Sequence, residues 1–130
     1  MDVTREYYFP KPVWRSSLPK DVALAPIVDQ IYRLEKTTKS RQKSNRGPLS
    51  FQSGDFKYDA DKKDDALNDL LFHIGSLVYA IHQTDRRGEV ILSNAWFNIN
   101  RKDGMNIPHT HPGSMYSGVI WLKASEGAGE

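Results

Sequence analysis

The chain has 130 residues, with 18 Lys and Arg against 16 Asp and Glu, giving a formal net charge of +2. Its length fits one domain of about 100–150 residues, and 38% hydrophobic with 11% aromatic residues is too apolar for a disordered tail and too polar for a membrane protein. It contains no cysteine, which excludes a disulfide frame, a thiolate nucleophile and a Cys-ligated cluster, so any metal must rest on His, Asp, Glu or carbonyl oxygen.

No apolar run approaches the ~18 residues of a spanning helix. The opening Met-Asp-Val-Thr-Arg-Glu-Tyr-Tyr lacks the features of a secretory or transit leader, so a cytoplasmic setting with no membrane partner is the expectation. The segment Phe9-Pro10-Lys11-Pro12-Val13-Trp14 reads as extended chain suited to a sheet edge. From Asp21 to Lys36, Leu24, Ile27, Val28, Ile31 and Leu34 recur at helical spacing; Pro26 belongs in a first turn, so the regular helix is predicted to begin near Ala25.

Between Lys36 and Gly54 the chain carries five positive charges and no acid. It reads as a solvated loop, and with a net charge of only +2 a nucleic-acid partner is not expected. A second helix is predicted over about 62–83, where Leu67, Leu70, Leu71, Ile74, Leu77, Val78 and Ile81 form one stripe. Asp61, Asp64 and Asp65 stand where the helix dipole favours negative charge. His73 and His82 are nine residues apart, and at about 100° per residue they face nearly opposite sides, so they cannot share a metal and read as flank residues. After a turn at Arg86-Arg87-Gly88-Glu89, the segment Val90–Asn100 is predicted to be a strand with Asn94, Trp96, Asn98 and Asn100 on one face and Ile91, Ala95, Phe97 and Ile99 on the other. The aromatic and amide face fits either a pocket wall or a half-exposed sheet face.

The chemistry concentrates downstream, in Gly104-Met105-Asn106-Ile107-Pro108-His109-Thr110-His111-Pro112. Residues two apart in extended chain project to one side, so His109 and His111 can reach one metal ion while Thr110 points away. Pro108 and Pro112 restrict the backbone on both sides. Taken as a tripeptide, the pattern equally describes two exposed turn histidines. A further strand is predicted over Tyr116–Lys123.

The run Ala95-Trp96-Phe97-Asn98-Ile99-Asn100, Gly104, Asn106, His109-Thr110-His111-Pro112-Gly113-Ser114 and Ser117-Gly118-Val119-Ile120-Trp121-Leu122 resembles the 2-oxoglutarate and iron(II)-dependent oxygenases of marine bacteria and their phages. Closely matched are about 30 residues; the upstream Phe-Pro opening, two helices and Ser44-Asn45-Arg46-Gly47 loop are similar in order. The resemblance implies an α+β chain whose core is a double-stranded β-helix, or jelly roll, with N-terminal flanking helices: an N-terminal part over 1–89 and first core strands over 90–130. It implies iron(II) and 2-oxoglutarate as cofactors and hydroxylation of a small-molecule or protein substrate. His109 and His111 would be metal ligands, His111 standing where many relatives in the wider superfamily have an acid. Asn98, Tyr116 and Ser117 would line the co-substrate site, and Trp96 the pocket.

No histidine follows His111, so the distal ligand is missing, as is the basic residue that the family carries on a late strand. The expectation is therefore a truncated oxygenase, inactive by itself, with the second half of the barrel absent. Open strand edges then favour association with a partner, a second copy among the candidates. Two alternatives compete. A cupin-like metal protein shares the His-X-His pattern but adds a Glu shortly after it, and no acid precedes Glu126 here. A non-enzymatic phage or bacterial binding module would use the basic loop instead.

Overall fold

The structure, a computed structural model, describes residues 3–8, 11–41, 43–62, 64–85 and 88–128. The order is β1 (Val3–Tyr8), β2 (Lys11–Ser16), α1 (Leu24–Thr37), β3 (Asn45–Arg46), β4 (Phe51–Gln52), α2 (Ala66–Asp85), β5 (Asn98–Ile99) and β6 (Met105–Asn106). The class is α+β, with antiparallel two-stranded sheets β1·β2, β3·β6 and β4·β5. No closed or curled sheet forms among the described residues.

Both helices arise where the apolar spacing places them. α1 begins at Leu24, with Pro26 in its first turn, where a missing amide proton costs nothing. α2 starts at Ala66, about four residues later than predicted. Asp64 adopts φ +61°, outside the helical region, and the Asp65 carboxylate then accepts the Asn68 amide proton at 2.9 Å as an N-cap. Asn68 closes the preceding loop: its Oδ1 accepts from Asp59 N at 2.8 Å, and its Nδ2 donates to the carbonyls of Asp59 and Lys62, both at 2.9 Å. The helices meet at Ile27, Ile31 and Leu70, against which Leu18, Ile74, Phe97, Ile99 and Leu122 pack. Of the predicted α2 stripe, Leu67, Leu70 and Leu71 are buried.

The segment read as extended chain at a sheet edge forms β2, which pairs antiparallel with β1 over six residue pairs, from Val3↔Ser16 to Tyr8↔Lys11, in a two-stranded sheet. Phe9 and Pro10 of that prediction, like Arg86 and Arg87 of the predicted turn, lie outside the described residues.

The Lys36–Gly54 stretch is not a solvated loop throughout. Its first part is exposed, but Ser44, Asn45, Ser50, Phe51, Gln52 and Ser53 are buried. Its polar groups find partners inside the fold: Gln52 N bonds Ser40 Oγ at 2.9 Å, Gln52 Oε1 accepts from Lys43 N at 3.0 Å, and Ser53 Oγ accepts from Phe97 N at 2.9 Å. Paired polar groups can be buried at little net cost, and such pairing is invisible to hydropathy.

The predicted Val90–Asn100 strand shrinks to Asn98–Ile99, with Ala95 bridging Phe56; among the described residues its backbone partners are Phe56, Ser53 and β4. Its apolar face nonetheless behaves as expected, with Phe97 and Ile99 against the core. Tyr116–Lys123 forms no strand.

Candidate metal centre

Two loops meet beneath the histidine pair. In the β3·β6 pair Asn45 lies opposite Asn106 and Arg46 opposite Met105, and the Ile107 amide extends the pairing by donating to the Ser44 carbonyl at 2.9 Å. Glycines permit this approach. Gly47 has φ +114°, and a Cβ there would stand 2.9 Å from both the Asp103 carbonyl oxygen and Gly104 Cα. A Cβ on Gly104 would stand 2.6 Å from Ser50 Oγ. Asn45 is 1% exposed; its Nδ2 donates to Asn100 Oδ1 at 2.6 Å and to Asn106 Oδ1 at 3.3 Å. Its own Oδ1 accepts no hydrogen bond from a described residue, a deficit of about 1–3 kcal/mol for a buried amide oxygen.

The chain then passes through Ile107 and Pro108 to His109. The Ile107 carbonyl lies 2.8 Å from His109 Nδ1. A carbonyl only accepts, so the contact is a hydrogen bond when Nδ1 carries the proton, and in the neutral ring that tautomer leaves the Nε2 lone pair available to a metal. The ring centroids of His109 and His111 are 4.7 Å apart with planes at 78°. His109 is exposed and His111 half-buried beside Trp96, whose ring lies 5.5 Å away. The predicted pair therefore comes together, and Trp96 flanks it.

The other predicted site residues divide. Tyr116 is half-buried and points its hydroxyl at His82 Nδ1, 3.2 Å away, with Trp14 edge-on at 5.9 Å. Asn98 is exposed on β5 opposite Gln52, and Ser117 is exposed; no contact joins either to the histidines. His82, read from the sequence as a flank residue, is 3% exposed. Its partner Tyr116 lies 34 positions away, where no periodicity within α2 could reveal it. Asn45, too, carries no local signal of its burial, since it sits in a hydrophilic, basic stretch and its partners Asn100 and Asn106 are distant in sequence.

A second polar feature anchors the same loops. Arg101 grips Glu35 on α1 with both guanidinium arms, one at 2.8 Å, and donates to the Leu49 carbonyl at 3.0 Å. That hydrogen bond holds the Glu35 carboxyl below the usual carboxylate range against the opposing effect of burial, and Arg101 is raised in return. A groove lined by Asp29, Tyr32, Arg33, Glu35, Lys36 and Arg101 lies here; it contains none of the histidines, and its Arg101 is already committed to structure.

As a donor set the pair is incomplete. Two imidazoles suit iron, zinc, copper or nickel, but iron(II) in a facial arrangement needs a third protein ligand. Among the described residues no group of three or more His, Asp or Glu is placed to hold one ion. Two neighbouring imidazoles are of the type such a centre uses, and a third ligand is not among the described residues. Among the described residues no helix is long and apolar enough to cross a membrane. Comparisons with protein-family models, curated proteins and solved structures return no match to this chain.

Proposed function

We propose that this chain carries the metal-binding segment of an iron(II)- and 2-oxoglutarate-dependent oxygenase with a double-stranded β-helix core, with His109 and His111 as its two imidazole ligands. The observation that carries the reading is the placement of the two rings: His109 Nδ1 lies 2.8 Å from the Ile107 carbonyl, a contact that favours the tautomer with Nε2 free for a metal, and the His111 ring is 4.7 Å away. The resemblance of residues 95–122 to that enzyme family supplies the chemistry.

The third ligand, on this reading, comes from outside the described residues. Ile91, Met115, Val119 and Trp121, which flank the motif in sequence, are 82%, 59%, 76% and 80% exposed, and a covering segment or chain would take these side chains out of water. The barrel itself, the hydroxylated substrate and association with a second copy belong to the same proposal.

Iron(II) bound here would supply open coordination positions for 2-oxoglutarate and oxygen, and so the redox chemistry of hydroxylation. The chain's own residues perform the holding. Ile107 fixes the proton on His109 Nδ1, Pro108 and Pro112 restrict the backbone on either side of the pair, and Trp96 packs beside His111, shielding one side of its ring from water. Tyr116 and Ser117 follow within the same loop as candidate co-substrate contacts, with Asn98 on the neighbouring strand.

Anaerobic titration of the purified chain with iron(II), with and without 2-oxoglutarate, tests the reading. The expected result is the weak visible charge-transfer band of a bidentate 2-oxoglutarate complex, abolished in His109→Ala. No band in this chain, nor in a version lengthened past Glu130, would overturn it.

A further inference from the structure

We propose that Asn45 is the positioning residue for His109, acting through a relay of hydrogen bonds; this rests on reading His109 as a metal ligand. The β3·β6 pair spans only two residue pairs, too short to hold its own register. A one-residue slip would reverse every side chain and carbonyl of the strand, swinging the Ile107 carbonyl away from the imidazole. What pins the register is the amide cluster: Asn45 Nδ2 reaches Asn100 at 2.6 Å and Asn106 at 3.3 Å, and Asn100 Nδ2 reaches Asn106 Oδ1 at 3.4 Å. Next along each strand, the Ser44 carbonyl takes the Ile107 amide proton at 2.9 Å, and the Ile107 carbonyl takes the His109 Nδ1 proton at 2.8 Å. Asn45 thus sets the strand whose next carbonyl sets the imidazole.

The unpaired Asn45 Oδ1 points the same way. An apolar side chain of similar size would avoid that deficit but could not donate to two amide oxygens. Asparagine at a 1% exposed position therefore serves the two acceptors it grips rather than the stability of its own environment.

The test uses the full chain labelled with nitrogen-15. Long-range proton–nitrogen correlation spectra report the His109 tautomer, and cobalt(II) titration reports affinity of the pair. In Asn45→Ala with its circular dichroism retained, His109 is expected to change from the pure Nδ1–H form to a mixture, and cobalt(II) affinity to fall about 10-fold, the scale of losing an outer-shell partner. Asn106 is exposed, so Asn106→Ala provides a second variant that leaves the buried Asn45 in place. It should reproduce both changes, and the double variant should be no worse than the worse single one, because each breaks one link of one relay. An unchanged tautomer in folded Asn45→Ala, or in Asn106→Ala should the first variant not fold, would overturn the proposal. If the wild-type chain binds no cobalt(II), the metal reading fails, and the tautomer alone then decides whether Asn45 positions His109.

Discussion

Gly104→Ala probes how closely the two loops beneath the histidines are packed. A Cβ at this position would lie 2.6 Å from Ser50 Oγ, 2.9 Å from the Arg101 carbonyl oxygen and 3.2 Å from the Arg101 amide nitrogen. The two backbone atoms cannot withdraw without opening the turn in which Gly104 N bonds the Arg101 carbonyl at 2.8 Å. Ser50 can rotate, but its hydroxyl then loses its 2.6 Å bond to the Arg46 carbonyl. Overpacking of this kind costs about 1–3 kcal/mol and the lost hydrogen bond about 1 kcal/mol. The expected destabilisation is about 2–4 kcal/mol, or roughly 10 °C in Tm for a domain of this size. Urea denaturation followed by far-ultraviolet circular dichroism measures it. Gly104→Ala combined with Ser50→Ala removes one of the clashes, so the double variant should be less destabilised than the sum of the two single ones. A wild-type midpoint for Gly104→Ala, or strict additivity with Ser50→Ala, would refute this packing.

Asn68→Ala removes three hydrogen bonds that close the loop before α2, at an expected cost of about 2–3 kcal/mol; a thermal melt unchanged from wild type would contradict it. Leu70→Ala, at a side chain 2% exposed between the two helices, should cost about 2–5 kcal/mol in chemical denaturation, and a loss under 1 kcal/mol would mean that α1 and α2 do not pack as described. Glu35→Gln should lower stability at pH 7 by about 0.5–1 kcal/mol, the range of a partly exposed ion pair. Because the Glu35 carboxyl is held below its ordinary value, its contribution is complete above the unfolded-state carboxylate range and is lost as pH falls through the lower folded value. The gap between wild type and Glu35→Gln should therefore close on acidification in urea titrations at stepped pH; a gap that widens would reverse the assigned direction.

The helices were legible because apolar spacing is a local signal: Ile27, Ile31, Leu67, Leu70 and Leu71 lie on the predicted stripes and are buried. The proximity of His109 and His111 was legible for the same reason, since extended chain between prolines leaves i and i+2 on one side. What stayed hidden depends on partners distant in sequence. Asn45 finds Asn100 and Asn106 across separations of 55 and 61 residues, so a basic, hydrophilic stretch conceals one of the most buried side chains of the fold. Buried His82 meets Tyr116 across 34 positions, and the alternation of Val90–Asn100 promises a strand for which Phe56, Ser53 and β4 are the backbone partners among the described residues. Strand identity belongs to pairs of segments, whereas periodicity describes one segment at a time.

In the proposed centre His109 and His111 together ligate one iron. Iron K-edge X-ray absorption on the anaerobic iron(II) and 2-oxoglutarate complex of the wild-type chain, beside His109→Ala and His111→Ala, tests it most directly. The predicted result is an outer-shell scattering pattern of two imidazoles in the wild type that drops to one in each variant. A first shell made of oxygen alone, or a pattern that neither substitution alters, would contradict the claim.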